Sequence, residues 1–286
     1  MRILAVGIAT LDIINTVDGY PAEDQEVRAS AQRVARGGNA TNTLVVLSQL
    51  GHDCEWGGVL GDDPDSEYVL TDLQSHRIGT EFCETSPGGK TPTSYIVLST
   101  ASGSRTIVHF RDLPEYSADA FAFIDLEHFD WIHFEGRNIG DLTRMLHRVN
   151  ACSTPCSLEV EKRHDGIEEL FELPDLLLFS RDYALQSGFS EPEAFLRAMR
   201  GLASPGVRLF CAWGDEGAAA LDSEGAFLRV PASAPSGVRD TLGAGDVFNA
   251  AVIDGQLRGL EIGQILSMAC ELAGRKCARS GLSGLV

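Results

Sequence analysis

The sequence predicts an α/β fold, in which a largely parallel sheet carries helices on both faces and a smaller β-sheet stands off it. Three observations predict this. The second half alternates short apolar strands with helical stretches, and the last of those stretches has a continuous apolar stripe. Two segments of the first half, about 13–35 and 92–112, carry no helical stripe and read as β-rich.

The opening run, "MRILAVGIATLDII", is broken by Asp12 and lacks a small-residue cleavage pattern, so it reads as a first core strand rather than a leader. "RGGNATN" (36–42) runs straight into the helix "ATNTLVVLSQL" (40–50), which ends near Gly51. Residues 92–112 read as two strands joined by the turn "ASGS". Then "WIHFEG" (131–136) forms a strand and "DLTRMLHRVN" (141–150) a helix. "CSLEVE" (156–161), "GIEELFEL", "LLLFS" (176–180), "PEAFLRAMRGL" (192–202) and "RLFCAWG" (208–214) continue the alternation, the pattern of a parallel sheet covered on both sides. In the final segment Ile262, Ile265, Leu266, Ala269, Leu272 and Ala273 recur at helical spacing. A chain of 286 residues can bury one large core. The expectation is therefore a single domain over 1–286, with 13–35 and 92–112 forming a small sheet that covers a site or pairs with another subunit.

The net charge is −18, from 23 basic and 41 acidic side chains, with no basic cluster interleaved with aromatics. Nucleic acid is excluded as a partner on that ground. No apolar run is long enough for a membrane span. Seven scattered cysteines without a metal-binding spacing read as buried, reduced thiols of a cytoplasmic protein. In so acidic a chain, any phosphate site must be built locally, from backbone N–H groups and one or two placed arginines.

Two apparent motifs fail in context. "GGKT" (88–91) lacks the leading glycine of a phosphate-binding P-loop and precedes a strand, so it is a turn; "VGIATLD" lacks the glycines of a dinucleotide fingerprint. "RGGNATN" is more informative. Gly37 and Gly38 let backbone approach a ligand, and Asn39 and Asn42, three apart, face one rim, as suits a polyhydroxylated molecule. Asp12, just after the first strand, could hold two hydroxyls. In "DTLGAGD" (240–246), Gly243, Ala244 and Gly245 leave N–H groups uncovered at the start of the helix "VFNAAVIDGQL". Those groups and the helix dipole form an anion hole, and Asp246 beside it, held ionised by the helix end, can accept a proton. A base next to an anion hole is what phosphoryl transfer needs.

"DTLGAGD" and "GGNATN" together resemble the two signatures of the ribokinase/PfkB family of sugar kinases. "YPAEDQEVR", "ASGSRTI", "WIHFEGRN", "EVEK", "CAWGDEGA" and "AGRKC" resemble, in order, segments of its fructose 1-kinase branch, so the likeness spans the chain. The resemblance implies a ribokinase-like three-layer sandwich with a β-sheet lid that clasps the lid of a second subunit in a homodimer. It implies ATP-dependent phosphorylation of fructose to fructose 1-phosphate, with Mg²⁺. Another ketose, a sugar acid or a nucleoside are alternative acceptors, and a non-catalytic sugar or nucleotide sensor is the alternative of a different class. By resemblance, Asp12, Gly38, Asn39 and Asn42 hold the sugar. Asp246 is the base, and Gly243, Ala244 and Gly245 the anion hole. Arg105 reaches the nucleotide phosphates; Gly214, Asp215, Glu216, Gly217 and Cys277 line the nucleotide site; Asp24 enters the partner's sugar site. Glu135 and Arg137 at a strand end read as a structural pair. The family's N-x-x-E metal motif is absent, so the metal ligands stay unassigned, with Glu159 or Glu161 able to act through water.

Overall fold

Strand β1 (Arg2–Val6) sends Leu4 and Val6 into one apolar core and Ile3 and Ala5 into another, so it lies at the centre of a sheet buried on both faces. The computed structural model describes residues 1–286 apart from 103 and 234–236. The opening apolar run is two strands, not one. Gly7 N still bonds Gly57 O, but by Leu11 the chain bonds Pro92 O and has entered a second sheet as β2 (Thr10–Val17). Asp12 therefore belongs to the small sheet rather than to the loop after β1.

The remaining elements follow in order: β3 (Ala31–Gly37), α1 (Asn39–Gln49), β4 (Asp53–Gly61), α2 (Pro64–Ser75) and β5 (Ile78–Ser86). Next come β6 (Thr93–Ser99), β7 (Arg105–Phe110), α3 (Ala118–Phe121), β8 (Trp131–Glu135), α4 (Ile139–Cys152) and β9 (Cys156–Val160). The chain closes with β10 (Leu176–Ser180), α5 (Arg181–Gln186), α6 (Pro192–Arg200), β11 (Arg208–Ala212), β12 (Ala218–Leu221), β13 (Phe227–Val230), α7 (Ala244–Leu257) and α8 (Ile262–Cys277). "GIEELFEL" closes into a 3₁₀ turn at Ile167–Leu170. The "ASGS" turn falls partly outside the described residues, at Gly103.

The large sheet has the order β13-β12-β11-β10-β9-β8-β1-β4-β5, parallel except where β12 pairs with β11 and β13. Leu142, Leu146, Tyr183 and Phe195 from α4 to α6 fill the core on one face. Leu44, Val69, Val252 and Leu266 from α1, α2, α7 and α8 fill the other. This is the three-layer α/β arrangement expected. Among the described residues no helix is long and apolar enough to cross a membrane, and all seven cysteines are free.

The small sheet has the order β3-β2-β6-β7, and its strands reach from Thr10 to Gly37 and from Thr93 to Phe110. Its register sets two faces. Asp12, Ser94 and His109 share a row, and Arg33 and Arg105 lie on that same face. Val34, Tyr95, Val108 and Phe110 lie on the other, where they are 44%, 48%, 66% and 48% exposed.

Candidate active site

Two helix N-termini meet beneath the small sheet. Gly38 caps α1 with φ 103°, and a Cβ there would sit 2.2 Å from the Ile8 carbonyl oxygen. Only glycine fits both the dihedral and the approach. Gly243 caps α7 with φ 82°. The Ala244 amide turns back to the Thr241 carbonyl at 3.3 Å, so it is not among the uncovered groups the sequence suggested. Gly245 and Asp246, in the first helical turn, have no helical carbonyl four residues back for their N–H groups. A Cβ on Gly245 would meet nothing within 4 Å, so that side of the turn opens into free space.

Asn42 joins the two helices. Its Nδ2 donates to Asp246 Oδ2 at 2.7 Å, and its Oδ1 accepts from Arg36 Nη1 at 2.8 Å. Because the guanidinium only donates and the carboxylate accepts, the amide has one satisfactory orientation. Arg36 is itself fixed by Asp72 (2.7 Å) and Thr41 (2.8 Å). This arginine stood at the head of the quoted motif, yet nothing local in the sequence marked its role; its partner Asp72 is 36 positions away.

Carboxylates crowd the site. Asn39 Nδ2 donates to Glu159 Oε1 at 3.1 Å and Glu161 Oε2 at 3.2 Å, and Asn249 donates to Glu159 Oε1 at 3.0 Å. Glu159 Oε2 is buried without a hydrogen-bond partner among the described residues. Glu135 accepts from Ile8 N (3.2 Å) and Ala40 N (2.5 Å). The expected Glu135–Arg137 pair does not form: Arg137 bonds Glu115 at 2.9 Å, a carboxylate that it shares with Arg111. Burial pushes the Glu135 carboxyl up to about 7 and raises Glu159 well above the ordinary range, the Asp246 charge adding to the latter. Asp246 corrects the sequence reading most directly. Burial pushes it up to about 8, and Glu161 and Glu135 add to the rise, outweighing the Asn42 hydrogen bond that opposes it. The helix end alone does not keep it ionised.

On the small sheet's inner face, Thr10 donates to Asp12 Oδ1 at 2.8 Å, and Ser94 Oγ lies 3.2 Å from His109 Nδ1. Burial raises Asp12, against the hydrogen bonds of Thr10 and Ser94. Asp12 and Asn42 line one cavity of about 230 Å³ with Arg33, Arg36, Asp240 and Leu242. Arg105 crosses to the glycine loop, donating to Thr241 Oγ1 at 2.9 Å. The Cys277 carbonyl accepts from Arg239 N at 2.8 Å, which sets Cys277 beside the same loop. Gly214–Gly217 follow β11, at the same carboxyl end of the parallel strands as Glu135 and Glu159. There Arg181 holds Asp215 at 3.1 Å and Glu216 at 3.0 Å, so neither carboxylate stands free. Asp24 is exposed, in the connection between β2 and β3. Tyr95 and Phe110 lie on the outer face, so neither aromatic ring stands over the site. Lys90 of "GGKT" pairs with Asp63 and Asp65, which makes that segment a brace for α2.

Residues 1–285 match the pfkB family of carbohydrate kinases. The chain is 37% identical to ketohexokinase from Mus musculus over 294 residues, covering 100% of this chain and 99% of the relative. It is 25% identical to ribokinase from Bacillus subtilis (strain 168), covering 99% and 95%. Among solved structures, Arabidopsis thaliana ribokinase complexed with ribose and ATP is similar with a TM-score of 0.79, at 18% identity, over 98% of this chain and 93% of that one.

Proposed function

The chain belongs to the pfkB family of carbohydrate kinases and is an ATP-dependent sugar kinase, and from that premise we propose that its acceptor is fructose, phosphorylated at the 1-hydroxyl. The full-length likeness to ketohexokinase supports fructose. The observation that carries the chemistry is the buried Asn42–Asp246 contact, 2.7 Å long, at the mouth of α7.

Asp246 takes the proton of the attacking hydroxyl, and Asn42 fixes the direction of that carboxylate. Asp12, Gly38, Asn39 and Asn42 hold the sugar. The glycine turn at the start of α7, through the free amides of Gly245 and Asp246, receives the transferred oxygens, where in-line geometry and preorganised donors lower the barrier. Arg105, the Gly214–Gly217 turn and the neighbourhood of Cys277 hold the nucleotide. The small sheet covers both substrates as a lid, and water exclusion there limits hydrolysis of ATP. Its apolar outer face supports the reading of a homodimer through the lids.

The family implies Mg²⁺ with the nucleotide, and the residues fit it. Glu159 Oε2 is a buried, unpartnered hard oxygen, with Glu161 two residues on. No three His, Cys, Asp or Glu side chains among the described residues converge to hold a metal unaided, which suits an ion that keeps waters and phosphate oxygens as ligands. Glu159 and Glu161 would hold it through water. Bound, Mg²⁺ neutralises charge on the β and γ phosphates.

The test is a panel of ketoses, aldoses, sugar acids and nucleosides, with coupled ADP detection and NMR of the product. Sugar-dependent ADP release with phosphate on C1 of fructose is expected. A higher kcat/KM for ribose or a sugar acid would overturn the fructose reading, and binding without turnover would indicate a sensor.

The raised Asp246 carboxyl gives a pH prediction. Its protonated form cannot accept a proton, so kcat/KM should rise with pH and level off above about 8, as a profile from pH 5.5 to 9.5 would record. Stability should run the other way. The unfolded carboxyl ionises near 3.8 and the folded one near 8, so folding takes up a proton between these values and stability falls as pH rises across that window. An activity profile flat from 6 to 9 would contradict the assignment.

A further inference from the structure

Asp240, which opens the glycine loop, is the most heavily bonded residue near the site that the mechanism leaves without a role. Its Oδ1 accepts from Leu242 N at 3.0 Å. Its Oδ2 accepts from Arg33 Nη2 at 2.7 Å and Gly281 N at 3.2 Å, and lies 3.3 Å from Lys276 Nζ. Its carbonyl accepts from the same Lys276 ammonium at 2.8 Å. Lys276 is 0% exposed and also donates to the Arg279 carbonyl at 3.4 Å.

A buried ammonium is a costly way to tie two segments together, because the ion loses its hydration and its partner only offsets that loss. A buried pair with defined bonds does fix one geometry, and what it fixes here is the start of the turn ending at Asp246. Arg33 lies on β3 and Arg105 on β7, the two edge strands of the small sheet. At the usual strand spacing these edges stand about 14 Å apart. Their arginines nonetheless converge on consecutive residues, Asp240 and Thr241. A sheet gripping one loop from both edges cannot shift without moving that loop.

We propose that Lys276 and Asp240 are positioning residues that set the glycine loop, and that Arg33, through Asp240, couples the seating of the small sheet to the setting of the first turn of α7. This rests on the reading that the turn receives the phosphoryl group. The Arg33 side chain is 35% exposed, so its substitution leaves the core intact.

The experiment compares the full-length chain with Arg33→Met and Arg33→Lys, by sugar-dependent kinetics and by amide hydrogen exchange. Arg33→Met should lower kcat about 10-fold, leave sugar affinity within about threefold, and speed exchange in residues 239–247 as well as in 31–37. Arg33→Lys should recover part of both effects. Lys276→Met, if it folds, should lower kcat at least as far; if it does not, Arg33→Met decides alone. Faster exchange confined to 31–37, or an unchanged kcat in Arg33→Met, overturns the proposal. Failure of the kinase reading is distinguishable, because the unaltered chain would then show no sugar-dependent turnover.

Discussion

Asp246→Asn is expected to lower kcat by about 10³-fold while sugar affinity stays within a few-fold. A positioned general base contributes roughly 10² to 10⁴, and 10³ corresponds to about 4 kcal/mol of barrier. The substitution is close to isosteric, and the new amide oxygen can still accept from Asn42, so the joint between α1 and α7 survives. Stability should hold or rise at pH 8, because a buried carboxyl that resists ionisation is replaced by a neutral group. Coupled ADP release gives kcat, calorimetry gives sugar affinity, and thermal melts report the fold. Turnover within tenfold of the unaltered chain would remove Asp246 from the role of base.

The pH dependence should vanish in the same variant. If the rise toward pH 8 belongs to Asp246, the Asp246→Asn variant should show a low, flat profile. A rise that survives would belong to Glu135 or Glu159, whose carboxyls burial also raises. Buried acids this close titrate together, so the mutant profile, more than the wild-type one, assigns the proton.

What the sequence made legible was local. Two glycine turns heading apolar helices dictate backbone shape within a few residues: α1 starts one residue before the run read after "GGN", and α7 starts at Ala244, inside "DTLGAGD" and three residues before the run read as its helix. The alternation after residue 130 announced a sheet buried on both faces. What stayed hidden depends on distant approach. Asn42 meets Asp246 across 204 positions, and Lys276 meets the Asp240 carbonyl across 36. The ionisation of Asp246 was misread for the same reason: the helix dipole can be read from seven residues, but the enclosing carboxylates come from β8 and the end of β9. Asp12 was put after the wrong strand because an apolar run does not record where a chain changes sheets. Glu135 and Arg137 looked like a pair by closeness in sequence, yet Arg137 lies past the end of β8, where the chain turns its side chain to Glu115.

Gly38→Ala is expected to produce the largest loss of stability, together with at least a 10-fold rise in sugar KM. The added Cβ would lie 2.2 Å from Ile8 O and 2.8 Å from Ala9 Cα, in a backbone conformation of φ 103° and ψ 130°. Dihedral strain of this kind costs about 1–3 kcal/mol. The collision is with main chain, which cannot rotate away, so the start of α1 must move. A total of at least about 3 kcal/mol would lower Tm by roughly 5 °C in a chain of this size. Gly51→Ala is the control, since Gly51 also has positive φ (93°) but a Cβ there would meet nothing within 4 Å; only the strain remains, about 1–2 kcal/mol. The functional loss has a separate cause. Asn39 and Asn42 ride on the first turn of α1, so a shift that relieves the clash carries Asn42 off Asp246 and Asn39 off Glu159 and Glu161. Equal melts and equal KM values for the two variants would mean that the α1 terminus yields freely, and that Gly38 is not what holds the sugar-binding rim in place.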